Sequence, residues 1–179
     1  MMRVSTVGRG EMLAGQSDVG HSHGALWEIM VQAEGAGTEH FGGKAFEIGP
    51  GDVMLYPARG KHGTHNETDR SIYQYVIHFE AHDVAILEQG LRRRIGPGRP
   101  LCRLGREGLA WFEQLFNQIL WEDSVRQDGY LVVEDALLRL LFVGLERRML
   151  HETSSPSTQP RPDVLRFVNH VRESIGETS

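Results

Sequence analysis

A mainly β fold followed by helices is predicted by two features of the sequence. From about Arg3 to Phe79 the hydrophobic residues alternate with period two and are punctuated by glycines; from about Glu107 the period becomes helical. Many short strands close most readily as a small barrel or sandwich. At 179 residues the chain can bury one good core, so one main domain is expected.

Within the β zone, Leu26 to Ala33 reads as a strand. Gly42-Gly43, between Thr38–Phe41 and Lys44–Ile48, reads as a hairpin turn because glycine accepts positive φ. Pro50-Gly51-Asp52 marks a further turn, and Val53–Tyr56 and Ile72–Phe79, rich in β-branched and aromatic residues, complete the set. In the helical zone Leu109, Phe112, Leu115, Phe116, Ile119 and Leu120 form one stripe of a helix ending near Asp128-Gly129. A second helix, from about Tyr130 to His151, is apolar almost all round between Ala136 and Leu145. With Val133, Leu137, Leu140 and Leu141 packed on the barrel or the first helix, Leu138, Phe142, Leu145 and Met149 need another cover, which a second subunit would supply. The stretch 152–162, ETSSPSTQPRP, reads as a linker: its three prolines preclude a continuing helix. Asp163 then N-caps a short helix striped by Val164, Phe167 or Val168, Val171 and Ile175.

A formal net charge of −5 with both signs interspersed supplies no positive field for a phosphate backbone. Arg92-Arg93-Arg94 with Arg99 reads as a solvated face. Cys102 is the single cysteine, so no intramolecular disulfide forms. No secretory signal or membrane-length apolar run is evident, and cytoplasmic location is the default expectation.

Two spaced runs carry the chemistry. In the first, Gly15 is followed after five residues by His21-Ser-His23, after four more by Glu28, and after six more by Gly35. On a strand His21 and His23 share a face, whereas Glu28 has the opposite parity and joins them only through a bend, a bulge or a neighbouring strand. In the second run Gly51, Pro57, His62 and Asn66 follow one another. Three imidazoles and a carboxylate converging in a barrel suit a divalent metal such as Zn, Fe, Ni or Mn, with positions left for a ligand or water. The same histidines also serve as neutral, hydrogen-bonded pocket lining without a metal.

Both runs resemble the paired motifs of the cupin superfamily, with one departure: where cupins usually have glycine two residues after the proline, this chain has Arg59, then Gly60. The resemblance implies metal ligands at His21, His23, Glu28 and His62. A narrower one covers nearly the whole chain. His21-Ser-His23, Trp27 to Val31, the Gly51-Asp52-Val53 turn, Pro57 to His62 and Tyr75 to Phe79 together resemble the N-terminal domain of AraC-family transcription regulators. It implies a cupin (jelly-roll) effector-binding barrel over 1–105, helical dimerisation over 106–151, a linker at 152–162, and over 163–179 the start of a helix-turn-helix DNA-binding domain, its recognition helices absent. The chain is thus read as a truncated or naturally short piece of a regulator. Its expected partners are a small-molecule effector and a second copy; DNA is met only through the missing domain, and no membrane is involved.

The effector-contact candidates are His21, His23, Trp27, Glu28, Arg59, His62 and His78. Arg59 can clamp a carboxylate or phosphate or be a rim charge. Trp27 can stack on an effector or fill the core. His78 shares strand parity with Gln74 and Val76, and so faces either the pocket or the helix layer. His40, His65, His82, His151 and His170 are expected at the surface; Trp111 and Trp121 are expected in packing. No catalytic residue is assigned. The alternative is a stand-alone metal-dependent cupin enzyme, a dioxygenase or isomerase, though no general base is evident outside the ligand set.

Overall fold

A computed structural model describes residues 1–18, 20–81 and 98–153, excepting the side chains of 150–153. Arg92 to Arg94, His82, His170, the His151 side chain, nearly all of the linker and the short helix after Asp163 lie outside the described residues. The chain divides into two compact units, 1–148 and 149–179, and the first holds the barrel.

Among the described residues eight strands precede two helices: β1 (Met2–Met12), β2 (Trp27–Glu34), β3 (Gly37–Phe41), β4 (Lys44–Ile48), β5 (Asp52–Tyr56), β6 (His62–His65), β7 (Ile72–Ala81), β8 (Cys102–Arg103), α1 (Arg106–Val125) and α2 (Tyr130–Thr153). They form a five-stranded sheet in the order β1-β7-β2-β5-β8 and a three-stranded sheet in the order β4-β3-β6, antiparallel at each pairing. This is a cupin barrel. Isolated bridges from Ser17 to His65 and from His21 to His62 lay the β1–β2 connection along the edge of β6.

The turns form where glycine permits them. Gly42 and Gly43, at φ 59° and 77°, close the β3–β4 hairpin. Gly51 has φ 88°, and a Cβ there would lie 2.1 Å from the Leu104 carbonyl oxygen, so no other residue fits without moving the chain entering α1. Beside it the buried Asp52 carboxylate accepts two hydrogen bonds from the Arg103 guanidinium, at 2.7 and 2.6 Å, and one from the Gly49 amide at 2.8 Å, tying β8 to β5.

The period-two pattern of β2 and β7 sorts side chains between two environments. Odd-numbered residues face the helices. Tyr75 meets the rings of Phe112 and Phe116 at centroid distances of 5.9 and 4.7 Å, and Phe79 meets Phe142 at 5.4 Å and Trp27 at 6.5 Å. Ile29, Val31 and Ile77 are buried in the same layer. Even-numbered residues face the barrel interior, where Met30 packs with Ile48, Met54 and Tyr56, and Val76 closes on this cluster.

The first helix buries the expected stripe, Phe112, Leu115, Phe116 and Ile119. The second corrects the expectation. The buried hydrophobic residues are Leu141, from the face expected to pack, and Leu138, Phe142, Leu145 and Met149, from the face expected to need a second subunit, while Val133 and Leu140 are 40% and 52% exposed. The apolar middle of α2 had made two faces equally eligible. The aromatic layer decides, because Phe142 is the residue that reaches Phe79. Val132 and Val143 are also exposed on α2, as are Trp121 and Val125 on α1. Trp121 is therefore not a packing residue within this chain, whereas Trp111 sits over Gly144 and under the Arg148 guanidinium, 3.9 Å from its ring centroid. No described helix is long and apolar enough to cross a membrane.

Candidate metal and effector site

His21, His23, Glu28 and His62 converge, as the resemblance to the cupin motifs implied: each could offer one ligand atom, and all these atoms lie within 4.8 Å of one another. His21 occupies an isolated bridge, exchanging backbone hydrogen bonds of 2.8 and 3.0 Å with His62. After His23 a tight turn, closed by the Leu26 amide donating to the His23 carbonyl at 3.2 Å, reorients the chain before β2 begins. That turn removes the parity conflict between His23 and Glu28. Glu28 points inward from β2 and His62 from the start of β6, both buried.

The contacts centre on one oxygen. Glu28 Oε2 lies 2.8 Å from His23 Nε2, 3.0 Å from His62 Nε2 and 3.2 Å from His78 Nε2. His21 Nε2 stands 2.9 Å from His23 Nε2. Burial raises the Glu28 carboxyl pKa, but His62 and His78 outweigh it and hold the group at about 2, so it is a carboxylate. Burial depresses His23, more than Glu28 restores it, while for His62 the carboxylate overcomes burial and the pKa rises.

The donor set fits a cation. His62 Nδ1 faces the Gly60 carbonyl at 3.0 Å, and since a carbonyl only accepts, Nδ1 carries the proton. In the neutral ring Nε2 is then a bare lone pair, buried without a hydrogen bond of proper geometry and aimed at a carboxylate oxygen. Two acceptors at that distance need a proton or a metal ion between them. His21 repeats the arrangement: its Nδ1 is 2.9 Å from Asp18 Oδ2, which leaves Nε2 to face inward, as outer carboxylates orient metal-binding imidazoles.

Around the cluster lies a cavity of about 180 Å³ lined by Met12, Met30 and Val76 on its apolar side and by Thr64, Gln74, Tyr56 and the histidines on its polar side. By liquid volume that is room for about six waters. Larger grooves open elsewhere; one of about 420 Å³ beside Thr38, Glu47 and Arg103 contains none of the imidazoles.

Of the remaining candidates, His78 faces the cavity. Trp27 and Arg59 are not among its lining residues. Trp27 is buried in the helix-facing layer. Arg59 is exposed at φ 63°, its amide donating to the Gly24 carbonyl at 2.8 Å, so an arginine holds the left-handed turn that cupins usually give to glycine. His40 and His65 are half-buried and pair with each other, ring centroids 4.3 Å apart.

Behind His62 lies a buried layer not anticipated from sequence. Tyr56 stacks on His62, and Thr64 donates to Glu39 Oε2 at 2.7 Å. Burial raises Glu39 to about 7, and burial with the nearby Glu39 charge raises Tyr56. Gln74 donates to Gln32 at 3.0 Å and reaches Thr64 at 3.4 Å. Asp18 had a readable signal, standing three residues before His21; Glu39, in a short polar strand, had none.

Fold and site together define a ligand-binding cupin barrel with a histidine–carboxylate cluster inside. The family described as the AraC-like ligand binding domain matches residues 11–141, and the chain belongs to it. Among solved structures it is similar to a predicted oxalate decarboxylase from Thermotoga maritima (23% identity, 44% of this chain and 69% of that one, TM-score 0.43). It is also similar to a cupin protein from Bacteroides fragilis (26%, 43% and 66%, TM-score 0.40). A Cupin 2 conserved barrel domain protein from Salinispora arenicola gives 19%, 45% and 75%, with a TM-score of 0.39. No curated protein matches.

Proposed function

We propose that this chain is the effector-sensing and dimerising part of an AraC-type transcription regulator. In this reading a small polar molecule enters the barrel cavity and the histidine–carboxylate cluster holds one divalent metal. The observation that carries the reading is the cavity itself, set in the barrel of an AraC-like ligand binding domain and lined by His21, His23, Glu28, His62 and His78. When bound, a metal would supply a Lewis-acidic anchor for an effector oxygen. His21, His23, Glu28 and His62 would hold it, Asp18 would fix the His21 tautomer, and Gln74 and Thr64 would orient the effector.

The partner is a second copy of the chain. Val133 and Leu140 on α2 and Trp121 and Val125 on α1 present apolar side chains to solvent, and a two-fold interface pairing these helices would cover them. DNA contact falls to a further domain, which the effector controls through its differential affinity for two arrangements of the dimer.

A metal-dependent enzyme is the second reading, favoured by the unsatisfied His62 nitrogen. Against it, the other carboxylate lining the cavity, Asp18, is engaged by His21, and burial pushes the Tyr56 hydroxyl well above its ordinary pKa. The two readings separate in the coding sequence beyond Ser179. Two helix-turn-helix units over about a hundred residues support the regulator, and a stop codon supports the enzyme. For the site, small polar compounds are screened by thermal shift with and without Zn²⁺. Hits that stabilise the parent but not Glu28→Ala are expected; equal stabilisation of both removes the cavity from effector binding.

A further inference from the structure

Resting on the metal reading above, we propose that His78 is a fifth protein ligand, so that the ion is held by four imidazoles and one carboxylate. His78 lies on β7 directly opposite Glu28 of β2 in the sheet register, and its even parity turns it into the cavity. Its side chain is less exposed than that of His21, 18% against 37%.

The separations from Glu28 Oε2 support direct ligation. Two ligands about 2.1 Å from one ion and at right angles to each other stand about 3.0 Å apart. The separations of Glu28 Oε2 from His23, His62 and His78, 2.8, 3.0 and 3.2 Å, bracket that value, and His78 falls in the same series as the two ligands the cupin spacing implies. His78 also closes on His23, ring centroids 4.0 Å apart.

Hydrogen bonding alone leaves the His62 Nε2 without a well-formed partner. Three imidazole nitrogens converge on one carboxylate oxygen, and the His62 nitrogen among them is buried with no well-formed hydrogen bond. A single ion satisfies all three nitrogens and the oxygen. Gln74, four residues earlier on the same face of β7, is already committed to Gln32 and Thr64, so His78 is the β7 side chain whose polar head reaches the cluster.

The competing role is positional, with His78 donating an Nε2–H to Glu28 while the other four residues bind the ion. Losing such an outer partner costs about 10–100-fold in affinity. The test uses the full chain titrated with Zn²⁺ by calorimetry, and the absorption spectrum of its Co²⁺ form. His78→Ala and His78→Gln should each weaken Zn²⁺ binding by more than about 100-fold, beyond the outer-partner range, and should intensify the visible Co²⁺ bands as the coordination number falls. X-ray absorption on the Zn²⁺-loaded parent, which needs no variant to fold, should count four imidazoles. Rescue of affinity and spectrum by His78→Gln, or a count of three imidazoles, overturns the proposal while leaving the metal reading intact. A parent that binds neither ion overturns both.

Discussion

Tyr56 lies flat against His62, with ring centroids 3.7 Å apart and planes 6° from parallel. The phenol thus sets the plane of the imidazole while the Gly60 carbonyl sets its proton. Tyr56→Ala should cost about 3–5 kcal/mol of stability in urea unfolding and weaken Zn²⁺ binding, because both the packing and the ring restraint go. Tyr56→Phe keeps the stack and removes a buried hydroxyl that makes no well-formed hydrogen bond, so stability should stay within about 1 kcal/mol of the parent. A Tyr56→Phe variant as damaged as Tyr56→Ala would mean that the hydroxyl, not the ring, supports His62.

Burial holds Glu39 near 7, above its ordinary 4.5, and outweighs the lowering effect of Thr64, Tyr56, His62 and the Gly63 backbone. Between those values the unfolded chain has released this proton and the folded chain retains it. Stability must then fall as pH rises from 4.5 and level off above about 7, a loss of about 3 kcal/mol from this group. Glu39→Gln should remove that component, so urea midpoints of parent and variant should diverge with rising pH in favour of the variant. Parallel profiles would count against the assignment.

Gly51 and Gly43 both have positive φ but different surroundings. A Cβ on Gly51 meets the Leu104 carbonyl, whereas nothing lies within 4 Å of one on Gly43. Gly51→Ala should therefore destabilise by about 3 kcal/mol or more, and Gly43→Ala by the cost of a left-handed residue alone, about 1–2 kcal/mol. Thermal melts of the two variants measured side by side decide it, and equal losses would show that the β5 turn has room.

Leu140 is the natural probe of self-association. It is 52% exposed on α2, so Leu140→Asp leaves the monomer core alone. The parent should sediment as a dimer and the variant as a monomer with an unchanged far-ultraviolet spectrum. A parent that is monomeric at high micromolar concentration removes the helix face as an interface.

Strands β2, β5 and β7 were readable because they concentrate β-branched and aromatic residues between glycine turns, and that composition serves both sides of a buried sheet. The histidine–carboxylate cluster was readable for a different reason: His21, His23, Glu28 and His62 stand where the paired motifs they resemble place them. What sequence left open was orientation. Leu138 and Leu140 are chemically alike, and only the position of Phe142 against Phe79 says which of them is buried. Likewise His78 had two faces available until the register with Glu28 fixed one. Tyr56 and Glu39 carried no signal, since their roles arise from neighbours distant in sequence, His62 and Thr64.

Strand β7 is one residue thick between two compartments. Gln74, Val76 and His78 form part of the cavity wall, and the alternate residues Tyr75 and Phe79 grip Phe112, Phe116 and Phe142 of the helices. Cavity and helices are therefore never more than a peptide unit apart along this strand. A substitution made to loosen one will disturb the other, and variants intended to alter the helices without touching the cavity belong on the solvent-facing sides of α1 and α2.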